Sequence, residues 1–395
     1  MMSTQCAATP GAGNRRIPMA MAKVVLFANT DWYLYNFRRS LALALRDAGH
    51  ELLLLSPPGP FGARLVDLGL DWRPVPMARR SLNPLREVAL LWHLVRLFRR
   101  ERPALVHGFT IKCAIYGSLA ARVVGVPGRV NAVAGMGYVF TSNDLKARGL
   151  RPLVRALMKL ALGGKGARLV LQNPDDVALF GRAGMVNASQ VRLVRGSGVD
   201  CGRFRPRIGP RGEGPMRVLL PARLLWDKGV ADFIEAAMTL RAQGRDIEFL
   251  LAGTPDSGNP ASVPESEVRR WANEGIVRWL GHVEDMPGLF AAVDAVVLPS
   301  YREGLPKSLI EAAACGLPLI ATDVPGCREV VTDGVDGLLV PARNPNALAA
   351  AIARLQDMPA LAAALGKAAR AKALVEFGES IVIERTIAVH RELLG

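Results

Sequence analysis

The feature that most constrains the fold is an alternation of short apolar segments with amphipathic ones, which runs through the chain twice. Segments such as Lys23–Asn29 and Glu51–Ser56 are short and rich in leucine and valine, as the buried strands of parallel sheets are. The alternation starts again at Met216–Pro221, after a stretch rich in Gly, Pro and Arg. Alternating strands and helices predict sheets covered by helices. We therefore predict an α/β protein with two Rossmann-like doubly wound domains that face each other across a cleft.

The domain boundaries are expected where this alternation pauses. We expect a disordered extension at 1–22, an N-terminal domain at 23–197, a linker at 198–214, a C-terminal domain at 215–375 and a last helix at 376–395. The five cysteines form no C-x-x-C pair. The cysteine pattern therefore favours a reducing compartment and argues against a structural zinc site.

Positive charge is concentrated in the first half of the chain. Residues 1–200 contain 28 Lys and Arg against 11 Asp and Glu, whereas residues 201–395 contain 22 against 24. A basic half of this kind predicts an anionic partner, which is a nucleic acid, a membrane surface or an anionic substrate. We expect no nucleic acid, because the basic stretches lack interleaved aromatic residues and carry no recognition motif.

A loop in the second half carries two cations between a predicted strand and a predicted helix. Open α/β sheets bind ligands at the carboxyl ends of their strands, so Arg223 and Lys228 are expected at the mouth of the cleft. Two cations five residues apart can grip a diphosphate. A solvated basic loop has the same composition, so this segment alone leaves both readings open.

A second loop follows the predicted strand at 295–299. Pro306 suits the first turn of a helix. The N–H groups of Gly304 and Leu305 would then point into the cleft and form an anion site. Glu303 and Glu311 are spaced so that both can contact one ligand. Taken alone, Glu303 also fits a residue that interacts with the helix dipole, and Glu311 also fits a surface residue of the helix.

In this order, the features resemble the retaining glycosyltransferases of the GT-B fold, family 4, in which two glutamates stand eight positions apart. The resemblance extends from Lys23 onward and implies a UDP-sugar donor. It implies that Glu303 contacts hydroxyls of the transferred sugar and that Glu311 holds the ribose. The implied donor-binding residues are Arg223, Lys228, His282, Val283, Glu303, Gly304, Leu305 and Glu311. The implied catalytic residues are His107, Glu303, Arg223 and Lys228.

We expect no cofactor and no metal requirement. The sequence contains no D-x-D motif. Fixed cations and a helix N-terminus would then stabilise the charge that develops on the leaving diphosphate.

Loops of the first half are expected to bind the acceptor. The chain resembles bacterial enzymes that add N-acetylgalactosamine to a sugar on undecaprenyl diphosphate. The resemblance lies in the segments Tyr35–Arg38 and 81–84, the turn at 135–137 and the loop at 223–229. That resemblance implies a polyprenyl-diphosphate-linked sugar acceptor. The expected acceptor-binding residues are Asp31, Tyr35, Asn36, Arg38, Gly135 and Gly137.

A lipid-linked acceptor gives the basic half a physical role. Arg148, Arg151, Arg155 and Lys159 recur on one face of a predicted helix, with leucines toward the other, a pattern typical of helices on anionic membranes. We therefore expect a cytoplasmic protein, peripheral on the cytoplasmic face of the inner membrane. The same pattern fits a helix whose apolar face packs on the domain core, and the arginines also suit the acceptor's own diphosphate.

Two other functions fit the same architecture. A UDP-sugar epimerase can share the two-lobed fold, but it would need no basic membrane face. A GT-B transferase with a soluble acceptor would have the same donor-binding residues, but it would not need residues that bind a lipid-linked acceptor.

Overall fold

The structure is a computed structural model that describes residues 21–79, 81, 83–133, 145–209, 212–256 and 258–395. Of the residues 145–148, 150 and 151 it describes the backbone. Most of the expected extension at 1–22, together with Gly135 and Gly137, lies outside the described residues.

Within the described residues, the N-terminal sheet has seven parallel strands in the order β3-β2-β1-β4-β5-β6-β7. Its central strands are buried and aliphatic, so helices must cover both faces. The strands are β1 (Lys23–Phe27), β2 (Glu51–Ser56), β3 (Asp71–Pro74), β4 (Leu105–Phe109), β5 (Gly128–Ala132), β6 (Ala167–Leu171) and β7 (Val191–Leu193).

The sequence pattern predicts the first helix at Asn36–Ala48, but the chain already turns helical at Asp31, after a loop of three residues that follows β1. The Thr30 side chain caps this start by accepting a hydrogen bond from the N–H of Tyr33 at 3.0 Å. A π-helical turn at Leu34–Arg38 then connects two α-helices. The described helices of this half are α1 (Asp31–Tyr33), α2 (Arg39–Asp47), α3 (Gly62–Asp67), α4 (Pro84–Glu101), α5 (Ile111–Val124), α6 (Leu145–Leu162) and α7 (Pro174–Arg182).

The second sheet has six parallel strands in the order β10-β9-β8-β11-β12-β13. Both sheets place their first strand between their second and fourth, the doubly wound order that leaves a ligand crevice at the carboxyl ends. The strands are β8 (Met216–Pro221), β9 (Ile247–Ala252), β10 (Arg278–Gly281), β11 (Ala295–Leu298), β12 (Leu319–Thr322) and β13 (Leu338–Val340). The predicted pair of α/β domains is confirmed.

The helices of the second half cover both faces of its sheet and form two hydrophobic clusters with it. They are α8 (Val230–Ala242), α9 (Glu265–Asn273), α10 (Met286–Ala291), α11 (Lys307–Ala314), α12 (Cys327–Val330), α13 (Pro345–Asp357), α14 (Pro359–Lys372) and α15 (Glu379–Leu394).

The last helix, α15, leaves the domain that precedes it and packs on β4, β5 and α2 of the N-terminal domain. Val382 and Val389 are buried in that domain's core. At the helix end, Glu392 forms ion pairs with Arg168 and Arg192, each at 2.6 Å. The C-terminal helix therefore returns to the N-terminal domain, as predicted.

In the described part of the chain, no single helix has the length and apolar character needed to cross a membrane. One pair, Pro345–Asp357 with Pro359–Phe377, satisfies both criteria jointly but bends by 103°.

Candidate active site at the cleft between the domains

The two loops singled out in the sequence are joined at the carboxyl edge of the second sheet. The loop after β8 and the loop after β11 are connected by a hydrogen bond from the N–H of Tyr301 to the carbonyl of Asp227 at 2.9 Å. Gly229 has φ +70°, and a Cβ there would overlap the carbonyl oxygen of Pro299. Only glycine allows this close approach, so the backbone holds the two loops as one unit.

Lys228 and Glu303 meet where these loops join. The Nζ of Lys228 lies 2.5 Å from Oε1 of Glu303, and both side chains are mostly shielded from solvent. The hydroxyl of the buried Ser300 donates to the same carboxylate oxygen at 2.8 Å. Because an ammonium has three donors, Lys228 can keep Glu303 in place and still donate to a phosphate.

Arg223 and His282 lie at the same sheet edge but more openly. Arg223 is exposed and pairs with Asp256 at 3.1 Å. His282 is exposed directly after β10, whereas Val283 packs against the second domain's core. The predicted donor residues therefore lie along one edge, while the two cations are each paired with a carboxylate of their own domain.

The Gly304 loop faces the N-terminal domain directly. The side-chain amide of Asn173 donates to the carbonyl of Gly304 at 2.7 Å. Beside it, Arg302 pairs with Asp176 at 3.4 Å, and Leu305 approaches Gly196. These contacts place the predicted anion loop where the two domains meet.

Glu311 lies in α11 on the side facing the N-terminal domain. The Nζ of Lys307 is 3.7 Å from its carboxylate and donates to the carbonyl of Asn36 at 2.9 Å, over the ring of Phe37. Burial raises the pKa of Glu311 and lowers the pKa of Lys307. The sequence motif contained Lys307, but only the structure shows that it bridges the two domains.

In the N-terminal domain, Arg38 is a buried cation that has no carboxylate partner among the described residues. Its guanidinium lies over the ring of Phe109 at 4.4 Å, and Nη2 donates to the hydroxyl of Tyr33 at 3.1 Å. No described residue forms an ion pair with it, and its buried Nε has no hydrogen-bond partner there. A buried guanidinium in this state is costly unless an anion completes it.

Three other predicted acceptor residues lie nearby in different roles. Tyr35 packs against Phe61, and Asn36 is exposed, with its side-chain amide donating to Trp32. The structure places Asp31 differently from the prediction. It is buried, and its carboxylate accepts hydrogen bonds from the N–H groups of Trp32, Phe61 and Gly62. Asp31 thus anchors the start of α3 rather than pointing into the cleft.

His107, which the resemblance implies as a catalytic residue, lies inside strand β4. The strand continues to Phe109, and His107 is 1% exposed. Its Nδ1 lies 3.0 Å from Nε2 of His390 in α15. Burial, His390 and Arg38 lower the pKa of His107. A side chain closed off in this way is poorly placed to exchange a proton with a substrate in the cleft.

Family models match both halves of the chain. The model described as "Glycosyl transferase 4-like" matches residues 23–173, and the model described as "Glycosyl transferases group 1" matches residues 215–358. The chain is a GT-B fold glycosyltransferase of family 4. The first matched range contains strands β1 to β6 of the N-terminal sheet, and the second contains strands β8 to β13 of the second sheet.

Named relatives of this glycosyltransferase act on lipid-linked sugars. One is N,N'-diacetylbacillosaminyl-diphospho-undecaprenol alpha-1,3-N-acetylgalactosaminyltransferase of Campylobacter jejuni, 28% identical over 91% of this chain and 96% of its own. Another is the UDP-Gal:alpha-D-GlcNAc-diphosphoundecaprenol alpha-1,3-galactosyltransferase of Escherichia coli, 25% identical over 72% and 74%. Among solved structures, HepE of Anabaena in complex with UDP and glucose superposes with a TM-score of 0.77 at 19% identity, covering 94% and 99%.

The predicted membrane-binding residues of this glycosyltransferase lie on α6. Arg155 and Lys159 are exposed there, whereas the structure does not describe the side chains of Arg148 and Arg151. Met158 and Leu162 pack into the core, so part of the apolar face is used by the fold.

Among the described residues, no group of three or more His, Cys, Asp or Glu could hold a metal ion.

Replacing Gly229 by alanine is expected to loosen the contact between the loop after β8 and the loop after β11. The side chain requires an unfavourable positive φ and overlaps Pro299, so we expect a loss of about 2–4 kcal/mol in the free energy of unfolding. Urea unfolding measures it. Gly244→Ala is the matched control, because its φ is +71° but no atom lies within 4 Å of its Cβ. Equal losses in both variants would contradict the close approach of the two loops.

Proposed function

We propose that this chain is a retaining, metal-independent glycosyltransferase that moves an N-acetylhexosamine, GalNAc, from a UDP-sugar to a sugar on an undecaprenyl-diphosphate carrier. The observation that carries the proposal is the Lys228–Glu303 pair on loops that face the N-terminal domain. The lipid-linked acceptor is supported by the names of the relatives and by the buried guanidinium of Arg38, whose Nε has no partner among the described residues.

In this proposal, the nucleotide lies along the carboxyl edge of the second sheet. Lys228 and Arg223 hold the diphosphate, and the backbone at Gly304 and Leu305 assists them. Glu303 contacts hydroxyls of the transferred sugar and Glu311 the ribose. His282 and Val283 lie on β10's side of the edge, where they suit contacts to phosphate and base.

The transfer step is a substitution at C1 of the donor sugar. The C1–O bond to the diphosphate breaks with its electron pair, and the acceptor hydroxyl oxygen bonds to C1 on the same face. The acceptor's proton passes to the leaving phosphate, so no protein base is needed. Negative charge grows on the diphosphate, and cations fixed there stabilise the transition state more than the ground state. His107 then supports the fold behind the site.

We also propose that the glycosyltransferase is peripheral on the cytoplasmic face of the inner membrane. Support comes from the basic first half of the chain and from the exposed Arg155 and Lys159 on α6. Arg148 and Arg151 belong to the same proposed membrane-binding set. An anionic lipid surface would attract these cations at about 1 kcal/mol each.

The test is transfer of radiolabelled sugar from a panel of UDP-sugars to undecaprenyl-diphosphate-linked acceptors in detergent, with and without EDTA. We expect label in the lipid phase in both conditions, and NMR of the product should show the donor's anomeric configuration. Glu311→Ala should raise KM for the UDP-sugar about 10- to 100-fold, because hydrogen bonds to the ribose are lost.

Three outcomes would contradict parts of this proposal. Loss of transfer in EDTA would remove metal independence, and an inverted product would remove retention. Epimerisation of a UDP-sugar without an acceptor would favour the epimerase instead. Glu265→Ala, which changes an exposed glutamate outside the cleft, is the control for Glu311→Ala.

A further inference from the structure

Helix α4 exposes a stripe of large apolar side chains. Leu85, Val88 and Trp92 are 80%, 65% and 57% exposed. Their spacing of three and four residues places them on one face of the helix. The opposite face is buried through Leu90, Leu94 and Phe98, so the fold already uses one apolar face of α4. The exposed stripe is a second apolar face, and it does not pack against the domain core.

The charges of α4 are sorted between its two faces. Glu87 is turned inward and pairs with Lys112 at 2.7 Å. Glu101 is also turned inward and pairs with Lys23 and Arg73. The acidic groups of the helix are therefore neutralised on its inner side.

The outer face of α4 continues from the apolar stripe into arginines. Arg96, Arg99 and Arg100 follow Trp92 around the same face and are exposed. Arg100 pairs with Glu101, but within the described structure no ion pair is formed by Arg96 or Arg99. An outward face that combines leucine, valine, tryptophan and arginine without an outward acid matches the chemistry of an anionic lipid interface.

The apolar end of α4 lies near the cleft. Lys112, at the start of α5, donates to the carbonyls of Ala78 and Ser81, just before α4 begins. Helix α5 itself follows the carboxyl end of β4, the edge of the sheet at which ligands bind. The stripe on the first turns of α4 is therefore at the ligand-binding end of the domain, and the arginines are farther from it.

Helix α6 lies on the other side of α5 and extends this surface. It exposes Leu153 and Leu160 together with Arg155 and Lys159. Helix α5 packs against both neighbours, so α4 and α6 flank it on one side of the sheet.

We propose that the outer faces of α4 and α6 dock on an anionic lipid bilayer, with Leu85, Val88 and Trp92 inserted among the headgroups beside the cleft. This inference rests on the proposed function, because it gives a lipid-linked acceptor a short path from the bilayer into the cleft. Tryptophan favours the water–lipid boundary, where its ring is apolar on one side and its N–H can remain hydrated.

The test is sedimentation of the full chain with vesicles of phosphatidylcholine, alone or mixed with phosphatidylglycerol. The triple variant Leu85→Ser, Val88→Ser, Trp92→Ser should bind mixed vesicles about ten-fold or more weakly, because three apolar side chains no longer leave water. The matched control is Met238→Ser, Val335→Ser, Val375→Ser, which removes equally exposed apolar side chains from the second half of the chain. The control should bind like the wild type.

Two results would overturn the proposal. One is equal vesicle binding by the triple variant and the wild type. The other is a lipid-free dimer of the wild type that the triple variant abolishes, which would assign the stripe to a second copy of the chain. Transfer to a short-chain, water-soluble acceptor is measured in parallel and should be unchanged in the triple variant. If the wild type and the variants bind vesicles but none of them transfers sugar, only the proposed function is contradicted.

Discussion

Replacing Lys228 by alanine is expected to lower kcat/KM for sugar transfer by about 100- to 1000-fold. In the structure, this ammonium is fixed by Glu303 at 2.5 Å on a loop that glycine holds against its neighbour. The proposed role is to stabilise the charge that grows on the leaving diphosphate, so most of the loss should appear in kcat. Steady-state transfer of labelled sugar measures it.

The matched control for Lys228→Ala is Lys367→Ala, because Lys367 is exposed on α14, away from the cleft. Thermal unfolding of both variants separates loss of chemistry from loss of structure. A Lys228→Ala enzyme that keeps wild-type kcat would contradict the proposal that Lys228 stabilises the charge that grows on the leaving diphosphate.

The free energy of unfolding is expected to fall when the pH is lowered below about 6.5, because three buried histidines resist protonation. Burial lowers the pKa of His50 and His107, and it lowers the pKa of His390 to about 3. Between pH 6.5 and 3, the unfolded chain binds a proton at position 390 and the folded chain does not. Stability is therefore present above pH 6.5 and is lost as the pH falls.

For His390 alone, the expected loss between pH 7 and pH 5 is about 2 kcal/mol, which is a large share of a typical domain's stability. Urea unfolding across this range measures it. His390→Gln should reduce the slope by about one proton, because glutamine does not titrate. An unaltered slope in His390→Gln would show that another group controls the acid lability.

Much of the fold was predictable because its central strands are uniform apolar runs. The strand Met216–Pro221 has the predicted bounds, because it follows a stretch rich in Gly and Pro and its last four residues are buried apolar positions. The edge strand Asp71–Pro74 was missed, because two of its four residues are charged and it pairs on one side only. The early helix start at Asp31 depends on a Thr30 cap within a segment rich in aromatic residues, which does not show helical periodicity.

The site was predictable only where its residues form local motifs. Glu303 and Glu311 share one motif, and the structure places both beside the cleft. By contrast, Asn173 contacts Gly304 across 131 positions, and His390 contacts His107 across 283. No local pattern specifies such pairs, because the folding of both sheets creates them. The burial of His107 was missed for the same reason, since its partner belongs to the last helix.

The position of α15 has a consequence for how the protein is made. The N-terminal domain is translated first, yet its core includes Val382 and Val389, and the ring of His390 closes over His107. The last helix must therefore emerge from the ribosome before that core is complete. Until then, β4 and β5 lack the helix that packs on them, so the first domain exposes apolar surface for the whole time that the second domain is being synthesised.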